Sequence, residues 1–169
     1  TTCQTVQLHN LKADTICDLA QKAWEHGIIT MGGGGNYPRN VMMSPLSGVN
    51  CNESFDVLGY VKAASEYLLS FIHKVKLPRK LKVCFSNTKE DIVHASFRDL
   101  GFIANEDNTF DVYSAGGLGR EPKLGVLMAE HTPPELALYY IKAMIDTFVT
   151  YGDYKNRSKA RTRFLPENM

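Results

Sequence analysis

Residues 77–82 read LPRKLK and continue as VCFS, so Arg79, Lys80 and Lys82 fall within four positions behind a proline. In a strand, side chains alternate between faces, which would point Lys80 and Lys82 the same way with their ammonium groups close together. That arrangement needs either open water or an anion between the charges. Open water would mean a solvated edge strand, whose lysines also block edge-to-edge association. An anion would mean a site for oxyanions or carboxylates, with lysine as a point charge and arginine as a planar fork.

Other residues offer weaker chemistry. The glycine run 32–35 lacks a following GK[ST], and no GxGxxG opens a helix, so it reads as a flexible loop. Gly116, Gly117 and Gly119, in a GGLG stretch, suit either backbone amides close to an anion or a plain hairpin turn. The tail YKNRSKARTRF carries a basic residue at every odd position from 155 to 163, the pattern of a surface helix or a nucleic-acid arm. Cys3, Cys17, Cys51 and Cys84 form no CxxC pair, and the five histidines form no HExxH, so no zinc site is expected. The thiols read as reduced, in a cytoplasmic protein. Net charge is +1 across 169 residues, which excludes a global field toward nucleic acid or membrane, so any basic feature is local. No apolar stretch reaches the roughly 18–20 residues of a membrane span, and no signal-peptide pattern opens the chain.

The elements that must position these groups alternate without a strict βαβ rhythm. The expected class is α+β, a mixed or antiparallel sheet with flanking helices. CQTVQLHN predicts a strand over 3–9, and Asp14 is a candidate cap for a helix over 15–26 that ends at Gly27. VMMS predicts a short strand, and the spacing of Leu58, Val61, Ala64, Leu68 and Phe71 predicts a helix over 55–75. Pro78 stops it, and Leu81, Val83 and Phe85 form the buried side of the lysine-bearing strand. Strands are expected over 101–105, 109–114 and 123–130, and a helix from the Thr132-Pro-Pro-Glu stretch to about 149.

Six segments then occur in order: TTCQTVQLHNL, YPRNVMMSPLSGV, LPRKLKV, DLGFIAN, FDVYSAGGLG and NRSKARTRFL. This series resembles the sirohaem-dependent, ferredoxin-type nitrite and sulfite reductases. The resemblance covers most of the chain and is weakest over 50–75. It implies part of a ferredoxin-like half domain over 1–48 and an incomplete sirohaem-binding α+β domain over 49–169. It further implies six-electron reduction of sulfite to sulfide or nitrite to ammonia, with sirohaem and a [4Fe–4S] cluster as cofactors. The donor would be ferredoxin or a reductase subunit. By position, Arg39 of PRNV resembles the family arginine at the substrate anion, and Lys80 and Lys82 resemble its two substrate-side lysines. A lysine rather than a neutral amide at position 82 tilts the expectation toward sulfite. Arg157, Arg161 and Arg163 fall in the family's basic stretch near the cofactor carboxylates. Gly116, Gly117 and Gly119 fall where family backbone passes close to the cofactor.

The chain also departs from the pattern. Cys3 stands where the family often carries an arginine, and the family's C-x5-C and C-x3-C cluster pairs are absent. The expectation is therefore a piece of a longer reductase that cannot ligate the cluster alone. From a different class, the same cations suit a non-catalytic module binding nucleic acid or another polyanion. Sparse aromatics beside the basic stretches (Phe85, Tyr154, Phe164) and the near-zero net charge speak against it.

Overall fold

The computed structural model describes residues 3–169. Five strands form one sheet in chain order: β1 (Met42–Met43), β2 (Val83–Ser86), β3 (Leu100–Ala104), β4 (Phe110–Ser114) and β5 (Val126–Thr132). The β1–β2 and β2–β3 pairs are parallel, whereas β3–β4 and β4–β5 are antiparallel. The helices are α1 (Ala13–Glu25), α2 (Leu58–Leu69), α3 (Ala137–Tyr151) and the short α4 (Leu165–Asn168). A mixed sheet with flanking helices is the α+β class that the mixture of periodicities implies.

VCFS and LGFIA are continuous apolar runs because both faces of the central strands are covered. On one face α2 contributes Val61, Ala64 and Leu68, and α3 contributes Ile141, Ile145 and Phe148. They close over Phe85, Phe102 and Phe110, with the Phe85 and Phe102 rings stacked at 4.5 Å between centroids. The opposite face holds Met42, Cys84 and Ile103 against Ala95 and Cys3. The segment after α3 returns to the body through Phe164, which is flanked by Lys123 and Lys159. Both lysines also pair with Glu167, at 2.7 and 2.9 Å.

Several expectations are corrected. No strand forms over 3–9. Alternation supplies two faces but no neighbour to pair with, and Gln4 sits at φ 54. Its amide instead brackets Met43, donating to the carbonyl at 2.6 Å and accepting from the N–H at 3.0 Å. Helix α1 starts at Ala13 with Lys12 in the cap position, so Asp14 lies in the first turn rather than capping through its side chain. Its end is as expected: Gly27 takes φ 72 and its N–H reaches the Trp24 carbonyl at 2.9 Å. Helix α2 is shorter than 55–75, because Asp56 accepts from the Leu58 N–H at its start and irregular turns follow Ser70. The tail is neither a surface helix nor an arm. Residues 153–161 are irregular, and Ala160, Thr162, Arg163, Phe164 and Leu165 are buried. Lys80 and Lys82 do not decorate an edge, since β2 lies between β1 and β3 and Leu81 bridges to Pro38. No helix among the described residues is long and apolar enough to cross a membrane.

Candidate anion site

Parallel pairing puts the starts of β2 and β3 side by side, so the residues just before them are neighbours. The Leu100 N–H donates to the Lys82 carbonyl at 3.2 Å, and the Lys82 N–H donates to Asp99 Oδ2 at 2.8 Å. The segment around Pro38 runs along the other side of this approach. There the Arg39 N–H donates to the Leu81 carbonyl at 2.8 Å, and the Leu81 N–H to the Tyr37 carbonyl at 3.3 Å. Arg39 and the Lys80 and Lys82 pair, which lie far from it in the chain, therefore line one cleft of about 1210 Å³. Apolar Ile28, Ile29, Leu68 and Ile72 share the lining with polar residues such as Gln4, Gln7 and Ser65. A smaller cavity of about 260 Å³ adjoins Lys82 and is lined also by Arg98, Asp99, Gly117, Leu118 and Arg161.

The cations of this region act on one another. Burial lowers the Lys80 ammonium below the usual lysine range, and the charges of Lys82, Arg161, Arg39 and Arg79 lower it further. Arg79 is lowered by burial, then by Arg157, Arg161 and Arg39. Arg39 is lowered by burial, a trend opposed by Cys3 and reinforced by Arg161. Among these groups Arg161 meets an acid, pairing with the fully buried Asp99 at 2.9 Å. Lys80, Lys82, Arg79 and Arg157 form no ion pair among the described residues. Burial is the first cause at Arg39, Arg79 and Lys80, and the charges of neighbouring cations add to it.

The structure sorts the residues singled out from sequence. Arg39 lies in the cleft, and its guanidinium also straps the glycine run, donating to the carbonyls of Gly32 (3.2 Å), Gly33 and Gly35 (2.8 Å). The run is thus a wrapped turn rather than a loose loop. Gly32 sits at φ 77, where a Cβ would come within 2.8 Å of Ile72 Cδ1. Lys80 and Lys82 are both partly buried in the cleft wall, as their same-side spacing implies. Arg161 and Gly117 line the smaller cavity. Buried Arg163 lies under the GGLG turn and donates to the Leu118 carbonyl at 3.3 Å. The Gly116 and Gly117 amides are taken by the carbonyls of Arg98 and Lys123, both at 2.9 Å, and the glycines permit this close backbone packing. A Cβ on Gly116 would lie 2.8 Å from the Arg98 carbonyl, and one on Gly117 would lie 3.1 Å from Arg163 Nη1. Gly119, at φ 125, ends the turn. Arg157 is exposed and joins the cluster through the charge it exerts on Arg79.

Sequence reasoning missed Asp99, Thr162 and Arg98. Asp99 accepts from both Arg161 and the Thr162 hydroxyl, and Arg98 adds a third cation to the smaller cavity. The quoted segments DLGFIAN and NRSKARTRFL contain two of these positions, but nothing in their local pattern shows that they meet. No group of three or more His, Cys, Asp or Glu residues that could hold a metal occurs among the described residues.

The parallel half of the mixed sheet thus presents a cationic cleft at its strand starts. Residues 34–169 match the nitrite and sulphite reductase 4Fe-4S domain family, and the chain belongs to that family. It is 29% identical over 169 residues to a protein named sulfite reductase [ferredoxin] from Mycobacterium tuberculosis. That match covers 96% of this chain and 30% of the relative. The assimilatory ferredoxin-dependent nitrite reductase of Haloferax mediterranei is 25% identical over 180 residues, covering 99% of this chain and 30% of its own length. The solved structure of M. tuberculosis NirA superposes with a TM-score of 0.85 at 28% identity, covering 99% of this chain and 31% of that one. The chain thus spans about 30% of the length of these relatives.

Proposed function

We propose that this chain forms the sirohaem- and substrate-facing part of a reductase that takes sulfite or nitrite through six-electron reduction. The observation that carries the reading is the convergence of Arg39, Lys80 and Lys82, without carboxylate partners, on one cleft whose lining also includes apolar residues. The residues fit an anionic macrocycle. Buried Nε groups of Arg39, Arg161 and Arg163 lack acceptors, and a flat apolar body with a carboxylate rim needs both apolar and cationic lining residues. Sirohaem, when bound together with a [4Fe–4S] cluster, supplies the iron centre and the electron path for the reduction.

In this reading, Arg161, Arg163 and Arg157 neutralise cofactor carboxylates, and the turn at Gly116, Gly117 and Gly119 lets the backbone approach them. Arg39, Lys80 and Lys82 draw in the substrate anion, orient it and donate to its oxygens as charge builds there. With a chain split between a ferredoxin-like portion over 1–48 and the sirohaem-binding portion over 49–169, Arg39 comes from the first and the other cationic residues from the second. The electron donor is ferredoxin or a reductase subunit, and the cluster ligands come from outside these 169 residues.

Three variants test the assignment in the reductase that contains this chain. Losing a charge-assisted bond to an anion costs about 1.5–3 kcal/mol, so Arg39→Ala lowers turnover about ten- to a hundredfold. Unchanged turnover with a large fall in melting temperature would move Arg39 to a purely structural role, as strap of the glycine turn. Lys80→Gln with Lys82→Gln removes a repulsion, leaving stability within about 0.5 kcal/mol of the parent while sharply reducing sulfite turnover. Lys82→Asn alone shifts the ratio of sulfite to nitrite kcat/KM toward nitrite at fixed ionic strength. A ratio that does not move sinks the substrate-side role of Lys82.

A further inference from the structure

We infer that Asp99 is a positioning residue of the cleft, the buried carboxylate that ties Lys82 to Arg161 and holds the two halves of the cationic cluster in place for a polyanion. The inference deepens, and rests on, the reading of the cleft as a polyanion site. Asp99 precedes β3 and its side chain has no solvent exposure. It gathers three donors from two distant segments: the Lys82 N–H at 2.8 Å, Arg161 Nη2 at 3.0 and 2.9 Å, and the Thr162 hydroxyl. Lys82 belongs to the approach to β2, whereas Arg161 and Thr162 belong to the segment that follows α3. The carboxylate is therefore a direct joint between two parts of the cluster that come from distant segments. Arg161 is bound through Nη2, while its buried Nε has no hydrogen-bond acceptor among the described residues.

Charge and position make opposite demands here. Asp99 is an anion beside a site for anions, so by long-range attraction alone its removal tightens the binding of an anionic ligand. If its work is to hold Arg161 and Lys82, its removal weakens binding even though the site becomes more positive. The sign of the effect separates the two.

The probe is uroporphyrin III, a metal-free macrocycle with eight carboxylates, titrated against the 169-residue chain by fluorescence anisotropy. Asp99→Asn, nearly isosteric, weakens binding by about tenfold, the loss of one charge-assisted contact. Arg161→Gln also weakens it, and in the double variant the two losses do not add, because each removes the same joint. Should Asp99→Asn fold poorly, Thr162→Val removes one donor to Asp99 with every charge unchanged. Positioning then requires a weakening of a few-fold, whereas electrostatics alone requires none.

A second readout needs no ligand. The Arg161 Nε–H resonance is sharp and displaced in the parent chain and moves to the position of a solvated arginine in Asp99→Asn. Tighter or unchanged probe binding with that resonance unmoved overturns the inference. Failure of the parent chain to bind uroporphyrin III overturns the polyanion reading instead, and the resonance still decides whether Asp99 positions Arg161.

Discussion

Helices α1 and α3 are close in length, 13 and 15 residues, and both carry an apolar stripe, yet they end in different environments. Helix α3 buries Ala137, Ile141, Met144, Ile145 and Phe148 against the sheet and α2. Helix α1 has no fully buried residue, and Ile16, Leu19 and Trp24 face solvent, the Trp24 indole N–H donating to the Thr30 hydroxyl at 3.2 Å. Periodicity therefore states that a helix has an apolar side. Whether that side contributes to stability depends on a second surface, which α3 finds in the rings of β2, β3 and β4.

That contrast should be breakable by substitution. The largest effect is expected at Phe148→Ala, where a fully buried ring leaves a cavity beneath Pro78 and Gly152. Unfolding in urea should show a loss of about 3–5 kcal/mol. A loss below about 1 kcal/mol would mean that α3 is not anchored as described.

The next effect sharpens the comparison through two thiols. Burial pushes the Cys84 thiol from 9.0 up to about 12, against the pull of Arg98, whereas Cys17 is exposed on α1. The folded state prefers the protonated thiol, so the unfolded chain loses its proton first. The Cys84 contribution is fully present below pH 9 and is lost as pH rises from 9 through about 12. Three pKa units bound it at about 4 kcal/mol. Stability measured across that range should fall less steeply in Cys84→Ala than in the parent, and equal slopes would remove Cys84 from the account. Cys17 should react with a thiol reagent at once, while Cys84 waits for unfolding. The smallest effect is expected at Ile16→Ala in α1, a change within about 0.5 kcal/mol in the same urea assay. A loss several times larger would show that the α1 stripe is covered in solution.

The same distinction explains what was legible in the sequence. Helix α3 could be read because Pro133 and Pro134 mark its start and its apolar residues repeat at helical spacing. Leu81, Val83 and Phe85 could be read as an inward row, but Cys84 is buried too, because a strand inside a covered sheet has no solvent face. The alternation over 3–9 was just as regular and produced no strand, since alternation does not supply a neighbour. In the site, the shared direction of Lys80 and Lys82 followed from spacing alone. The approach of Arg39 did not, because it depends on Pro38 bridging to Leu81 across the chain, and only the family resemblance pointed to it. Asp99 was invisible: a carboxylate before a strand looks like any turn residue until its partners arrive from elsewhere.

The Asp99–Arg161 pair also sets an order of events. Its two residues are 62 positions apart, so forming it closes a long loop, and the entropy of that closure must be met by contacts already in place. Strands β3, β4 and β5 and helix α3 lie inside the loop and, packed with β2 and α2 from before it, supply those contacts. The cationic cluster is therefore completed late, when the segment beyond α3 docks. A chain ended before Arg161 would lose the buried Phe164 and Leu165 and leave a buried carboxylate without its cation, the latter a fault of the kind that typically costs about 3–5 kcal/mol. The last residues of the cluster thus stabilise a body whose other contacts form before them.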